Sequence, residues 1–278
     1  MLDILIAVLF GLVEGITEWL PVSSTGHMIL LEEFIKFEGV SENFFGMFDV
    51  VIQLGAIMAV VVLYWDKIFP FKITKKHAVK VKIDKDIFTL WFKILTACVP
   101  AAIIGILFDD ILDKYLYNGY VVSIALIVFG IAFIVIENWN KGRKARVISL
   151  AELTYQTAAI IGVFQVLAAV FPGTSRSGAT IVGALLIGVS RTVAAEFTFF
   201  LAIPVMFGAS LLKLVKFGLA FSGLELAVLL VGMVVAFAVS MVVIKFLMSY
   251  IKRHDFKVFG WYRIVLGAIV LLYFAIFR

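Results

Sequence analysis

The sequence predicts an all-α polytopic membrane protein built as an inverted repeat, each half a re-entrant helical hairpin plus three transmembrane helices. Three observations carry that expectation. Of the 278 residues, 63% are hydrophobic and 15% charged, far less charge than a water-exposed surface needs. The apolar residues fall into runs of about 20, which at 1.5 Å rise per residue match the hydrocarbon thickness of a bilayer, without the alternation of a transmembrane barrel. Two further segments, 1–35 and 152–188, are broken in the middle by Pro, Ser, Thr and Gly and share an order of features.

Taken in order, the chain opens with Met1-Leu2-Asp3 and an apolar run that lacks a basic start and leads into polar residues, so it is not expected to be a cleaved signal. Segment 1–35 has room for two short helices. Full spans are predicted near 45–65, 88–108 and 120–138; the second broken segment, 152–188, precedes spans near 193–215, 225–248 and 259–277. Basic residues gather in three loops: Lys67, Lys72, Lys75, Lys76, Lys80, Lys82 and Lys85; Lys141, Arg143, Lys144 and Arg146; Lys252, Arg253 and Lys257. The positive-inside rule makes all three cytoplasmic and accounts for the net charge of +5 without nucleic acid as a partner. A loop holding Asp109, Asp110 and Asp113 is then external. Counting spans puts residues 36–44 and 217–224 outside and Arg191 inside. Segment 152–188 therefore returns to the face it started from, and a re-entrant 1–35 would place the N-terminus outside as well. Cys98 is the one cysteine, which excludes an intramolecular disulfide and a Cys-based zinc site.

The broken segments also align. GLVEGITEWLPVSS (Gly11 to Ser24) sets without gaps on GVFQVLAAVFPGTS (Gly162 to Ser175), with Glu14 on Gln165, Pro21 on Pro172 and Ser24 on Ser175. Each copy is followed by three spans, and an odd number between copies forces opposite orientations. Broken helices at membrane depth are tolerated only where protein buries them, so the two turns should meet around a shared cavity. The expected organisation is a single membrane domain, 1–278, of two halves, 1–138 and 152–278.

Chemistry concentrates at those turns. Glu14 and Glu18, four apart on an apolar helix, put two carboxylates on one face, a costly placement that usually marks a functional cavity. Such a pair suits Mg²⁺ or Ca²⁺ shared with substrate phosphates, or acid–base work; the alternative is solvated charge at the interface. The first turn, VSSTGH (Val22 to His27), supplies Ser23, Ser24, Thr25, Gly26 and His27. The second, PGTSRSGAT (Pro172 to Thr180), supplies Gly173, Thr174, Ser175, Arg176, Ser177 and Thr180. N–H groups at a helix start beside a guanidinium form an arrangement of the phosphate-binding kind, although the same hydroxyls can instead simply cap the helices. His77 and His254 fall in basic loops and are expected to face solvent. A phosphohistidine mechanism needs two active-site histidines, so the nucleophile is expected to be a hydroxyl or a metal-activated water.

E-x-x-x-E followed by LPVSSTGH, then FDVVIQLGA (Phe48 to Ala56), PGTSRSGAT and GVSR…AAEFTFFLAIP (Gly188 to Pro204) resemble, in content and order, the bacitracin-resistance family of undecaprenyl-diphosphate phosphatases. The diagnostic match runs from residue 4 to about 210, and the Lys-rich 67–85 loop is longer than the family leads one to expect. The resemblance implies hydrolysis of undecaprenyl diphosphate to the monophosphate, the lipid carrier of cell-wall synthesis. It also implies a place in the bacterial cytoplasmic (inner) membrane, a divalent cation and a site facing outward. By motif, the functional set is Glu14, Glu18, Ser23, Ser24, Thr25, His27, Ser175, Arg176, Ser177 and Thr180, with Gly26, Gly173 and Thr174 beside them in the turns. Arg176 and the turn N–H groups are expected to hold the diphosphate, and Glu14 and Glu18 the cation. Ser24 is expected to attack the terminal phosphorus with His27 or Glu18 as base, direct attack by water being the alternative. The lipid substrate and membrane lipids are the expected partners, and a homodimer is compatible with the sequence. A polyprenyl-phosphate flippase can use the same anion site, but it has no use for a carboxylate pair, a hydroxyl and a histidine converging on one phosphate.

Overall fold

The computed structural model describes residues 1–74, 80–116, 118–218 and 220–277; Lys75, Lys76 and His77 of the first basic loop lie outside the described residues. The chain opens with two short helices, α1 (Leu2–Thr17) and α2 (Ser24–Phe34). The first span is α3 (Phe44–Val51) followed by α4 (Gln53–Leu63), divided at Ile52; α6 (Lys85–Leu116) and α7 (Gly119–Trp139) complete the first half. Between α4 and α6 lie α5 (Trp65–Ile68) and an antiparallel hairpin, β1 (Phe71–Thr74) with β2 (Lys80–Ile83), in which Phe71 pairs with Ile83. The second half repeats the order: short α8 (Tyr155–Val170) and α9 (Arg176–Leu186), then long α10 (Arg191–Phe217), α11 (Gly223–Tyr250) and α12 (Lys257–Phe277). Among the described residues, six helical stretches are long and apolar enough to cross a membrane: Phe44–Leu63, Lys85–Phe108, Gly119–Trp139, Arg191–Phe217, Gly223–Tyr250 and Lys257–Ile276. The protein is a helical, multi-pass membrane protein.

Two expectations change. Helix α6 continues through residues 109–113 to Leu116, so the acidic cluster extends a helix instead of forming a loop. FDDILDKYL contains neither Gly nor Pro, and charge ends an apolar run without ending a helix. The first basic loop, in turn, folds in part into the hairpin, where FKIT and KVKI intersperse β-branched residues with Lys.

The first short helix of each half packs along a long helix of the other half, α1 on α11 and α8 on α6, while α7 packs along α12. Glycines let these backbones approach. A Cβ on Gly11 would lie 2.7 Å from the Gly232 carbonyl oxygen, and one on Gly162 would lie 2.3 Å from that of Ala97. At the crossing of α4 and α11, a Cβ on Gly55 would lie 2.1 Å from the Met233 carbonyl oxygen. The obstacle is backbone and cannot rotate away. Gly55→Ala should therefore destabilise the purified protein by about 1–3 kcal/mol, read as a lower unfolding temperature; an unchanged temperature would mean that the two helices separate freely.

Two anchors fix where the broken segments begin and end. The Asp3 carboxylate accepts N–H bonds from Glu38 (2.9 Å) and Gly39 (3.1 Å), bringing the two ends of the first segment together. For the second segment, Arg146 N–H donates to the Gly188 carbonyl at 2.8 Å and Ser190 N–H to that of Val147 at 2.9 Å. The first anchor lies at the C-terminal end of α10, where the Phe44 ring meets Phe37 at 5.9 Å and Phe217 at 6.2 Å; the second lies at its N-terminal end. One part of the core, around Phe10, Phe44 and Phe48, fills the space beside the first anchor; the other, around Trp19, Phe197 and Phe199, surrounds the turns.

Candidate active site

Both turns use the same backbone device. Ser23 and Ser175 cap α2 and α9 with positive φ (78° and 70°), and their side chains accept the N–H of Gly26 (3.2 Å) and Gly178 (3.1 Å). That conformation costs of order 1–3 kcal/mol in a residue with a side chain. It sets the next residue at the first helical position, Ser24 on α2 and Arg176 on α9. The repeat register is corrected here: Ser23, not Ser24, corresponds to Ser175, and Ser24 stands where Arg176 stands. The gapless alignment fails because Pro172-Gly173-Thr174-Ser175 has one residue more than Pro21-Val22-Ser23 between proline and cap. Equivalent positions thus deliver a hydroxyl and a guanidinium.

The two meet on Glu18. Ser24 Oγ donates to Glu18 Oε2 at 2.6 Å, and Arg176 Nη2 donates to Oε1 at 3.0 Å while its Nη1 donates to the Thr198 carbonyl at 2.9 Å. Ser177 Oγ donates to the Glu18 backbone oxygen at 3.2 Å and shares a 3.0 Å hydrogen bond with Ser175 Oγ; the hydroxyls of Thr180 and Thr198 are 2.9 Å apart. A cavity of about 500 Å³ is lined by Glu18, Ser24, Thr25, Gly173, Ser175 and Arg176, with Glu32, Asp49, Gln53 and Lys213 around them. The N-termini of α2 and α9, whose first N–H groups have no intrahelical acceptor, adjoin the same cavity and favour an anion there.

Glu14 stands back from the cavity, one helical turn before Glu18. It is fully buried, and neither of its oxygens has a hydrogen-bond donor among the described residues. Two orphaned, buried carboxylate oxygens one helical turn behind the cavity are the kind of donors that would suit a Mg²⁺ or Ca²⁺. Glu18 is the more committed of the pair, since each of its oxygens already holds a donor. Among the described residues no group of three or more His, Cys, Asp or Glu could hold a metal, so a cation held by Glu14 and Glu18 would need further oxygen ligands.

His27 is turned out of the cavity. Its Nδ1 donates to the Ser23 carbonyl at 2.7 Å, its Nε2 lies 2.7 Å from the Tyr262 hydroxyl, and the two rings stack at 5.7 Å. Capture of Nδ1 by its own turn directs the ring to α12. Of the two bases considered for Ser24, Glu18 is the one hydrogen-bonded to it.

Arg263 is a residue that sequence reading passed over. Fully buried on α12, it donates through Nη1 to the Pro21 carbonyl (3.2 Å) and through Nη2 to the carbonyls of Gly173 (2.9 Å) and Thr174 (2.6 Å). One guanidinium ties both turns together. The signal was a lone Arg inside an apolar span, WYRIV, where a charge rarely stands without a role. Arg263→Met should lower thermal stability by several kcal/mol, at about 1–3 kcal/mol for each carbonyl left unpaired; a wild-type unfolding curve would mean the turns hold without it. Thr198, Asp49 and Gln53 also reach the site from quoted motifs that gave them no separate signal.

Residues 7–269 match the family model described as bacitracin resistance protein BacA. The chain is similar to the undecaprenyl-diphosphatase of Desulfitobacterium hafniense, 63% identical over 275 residues covering 99% of this chain and 97% of that protein. It is likewise similar to the undecaprenyl-diphosphatase of Enterococcus faecalis, 63% identical over 275 residues (99% and 98% covered), and to that of Acetivibrio thermocellus, 61% identical over 278 residues (100% of both). With the match spanning both turns and every long helix between them, the chain belongs to the bacitracin resistance protein BacA family.

Proposed function

We propose that the protein is an undecaprenyl-diphosphate phosphatase that releases phosphate and returns the monophosphate carrier to cell-wall synthesis. The observation that carries this reading is the 2.6 Å hydrogen bond from Ser24 to a carboxylate that also holds the Arg176 guanidinium. A hydroxyl with its proton already directed at a base, beside a fixed cation and two helix N-termini, is equipment for phosphoryl transfer that a carrier does not need. Ser24 Oγ attacks the terminal phosphorus and passes its proton to Glu18. The bridging P–O bond breaks, and the polyprenyl monophosphate departs. Glu18 gives that proton to an oxygen of the departing monophosphate; water then attacks the phosphoserine, giving a proton to the freed Glu18 carboxylate, which returns it to Ser24 Oγ as the Ser–O–P bond breaks and phosphate leaves. Arg176 and the N–H groups of both turns balance the charge that gathers on the phosphoryl oxygens. Glu14 with Glu18 would hold the divalent cation, which when bound supplies further neutralisation of the diphosphate. His27, through Ser23 and Tyr262, positions the first turn.

In the bilayer, segments 1–35 and 152–188 are re-entrant hairpins from opposite faces, and halves 1–138 and 152–278 form an inverted repeat within one domain. The anchors at opposite ends of α10, the matched serine caps and the exchange of α1 and α8 between halves support this arrangement. The membrane is the bacterial cytoplasmic (inner) membrane, with the basic loops inside and the catalytic cavity open to the outside. The test is phosphate release from undecaprenyl diphosphate by purified protein in phosphatidylcholine nanodiscs, with and without EDTA. One phosphate per lipid, a monophosphate product and loss of activity with EDTA are expected. Binding without release under any cation would make the protein a carrier, and full activity in EDTA would mean that no divalent cation takes part.

A further inference from the structure

A second, larger cavity of about 870 Å³ lies at the N-terminal end of α10, walled by Lys141, Arg143, Lys144, Arg146, Arg191 and Lys252 against one carboxylate, Glu137. That carboxylate is already engaged, taking Arg191 Nε at 2.9 Å and Phe256 N–H at 3.0 Å. Lys141, Lys144, Arg146 and Lys252 have no acidic partner among the described residues. Membrane topology explains why cations lie on this face. It does not explain why they ring a hollow, or why their loop is fixed. Backbone bonds from Arg146 to Gly188 and from Ser190 to Val147 hold it, and Asn140 Nδ2 donates to the Leu185 carbonyl at 3.0 Å. Arg143 is further held 4.1 Å above the Trp139 ring. A loop backbone fixed in advance around a cavity loses little freedom when an anion arrives.

The rim indicates which anion. Trp139 and Leu186, both lining the cavity, are 58% and 52% exposed. A Trp at the end of a span marks headgroup depth, so the cavity opens where lipid phosphates lie and offers acyl chains an apolar edge. Arg191 here and Lys213 in the catalytic cavity are about 30 Å apart along α10. We propose that this cavity is a binding site for the phosphate headgroup of an anionic phospholipid, at the opposite membrane face from the catalytic cavity.

The experiment adds phosphatidylglycerol or phosphatidylcholine to the detergent-purified full chain and counts retained lipid by native mass spectrometry. It compares the wild type, a neutralised variant (Lys141→Gln, Arg143→Gln, Lys144→Gln, Arg146→Gln) and a charge-keeping variant (Arg143→Lys, Arg146→Lys). Lys144→Gln and Lys252→Gln alone are measured beside them, and thermal unfolding in phosphatidylcholine checks that each folds. The wild type and the charge-keeping variant should retain phosphatidylglycerol at least about tenfold more strongly than phosphatidylcholine; the neutralised variant should lose that preference and each single variant part of it. Equal retention of the two lipids by the wild type, or the same preference in the neutralised variant, would overturn the proposal. So would inorganic phosphate at millimolar concentration stabilising the wild type and displacing phosphatidylglycerol, which would make the ligand a soluble anion.

Discussion

Arg176→Lys should lower phosphate release from undecaprenyl diphosphate by roughly 10²–10³-fold although the charge is kept. The arginine spans two fixed acceptors, Glu18 Oε1 and the Thr198 carbonyl, with separate nitrogens of one rigid plane. A lysine ammonium is a single centre and cannot hold both in that geometry. Glu18, buried beside it, then loses the partner that aims its other oxygen at Ser24, so one substitution disturbs anion binding and base together. Initial rates of the purified variant measure the effect. A rate within threefold of the parent would mean that a point charge suffices.

Ser24→Ala should abolish turnover to at least about 10³-fold below the parent while lipid diphosphate still binds within about tenfold. The substitution removes the attacking oxygen and leaves Arg176 and both helix N-termini in place. His27→Asn should cost less than about tenfold, because its ring faces Tyr262 and touches the reaction only through the shape of the turn. Both are read as phosphate release and lipid binding on the same preparations. Parental hydrolysis by Ser24→Ala would give the attack to water, with Glu18 as its base.

The parts of this arrangement legible in sequence are those that hydropathy penalises. Glu14, Glu18 and Arg176 stand out because a charge in an apolar helix needs a reason, and the broken segments stand out because Pro21 and Pro172 fall beside clusters of Ser, Thr and Gly, whereas Pro100 and Pro204, flanked by apolar residues, lie inside α6 and α10. The register of the repeat was not legible, since one extra residue between Pro172 and Ser175 leaves the apolar pattern unchanged while shifting every later position. The direction of the His27 ring was hidden for another reason: it depends on Tyr262, 235 residues away, and no local pattern encodes that pairing. Arg263 gives little local signal, since one cation leaves a span apolar, and its four carbonyl neighbours, Pro21, Leu126, Gly173 and Thr174, come from three separate stretches of chain. The length of α6 is not legible from hydropathy, since the apolar run ends near Phe108 while helix-compatible residues carry the helix on to Leu116.

The two turns act as one site if they are joined where Arg176 of the second meets Glu18 of the first. The most direct measurement is a double-mutant cycle in phosphate release on Glu18→Gln, Arg176→Lys and the pair combined. Groups that work as a unit lose their function once, so the double variant should be about as slow as the slower single variant, its rate exceeding the multiplied losses by at least about tenfold. If the two losses multiply in full, the turns contribute independently and the shared site is contradicted.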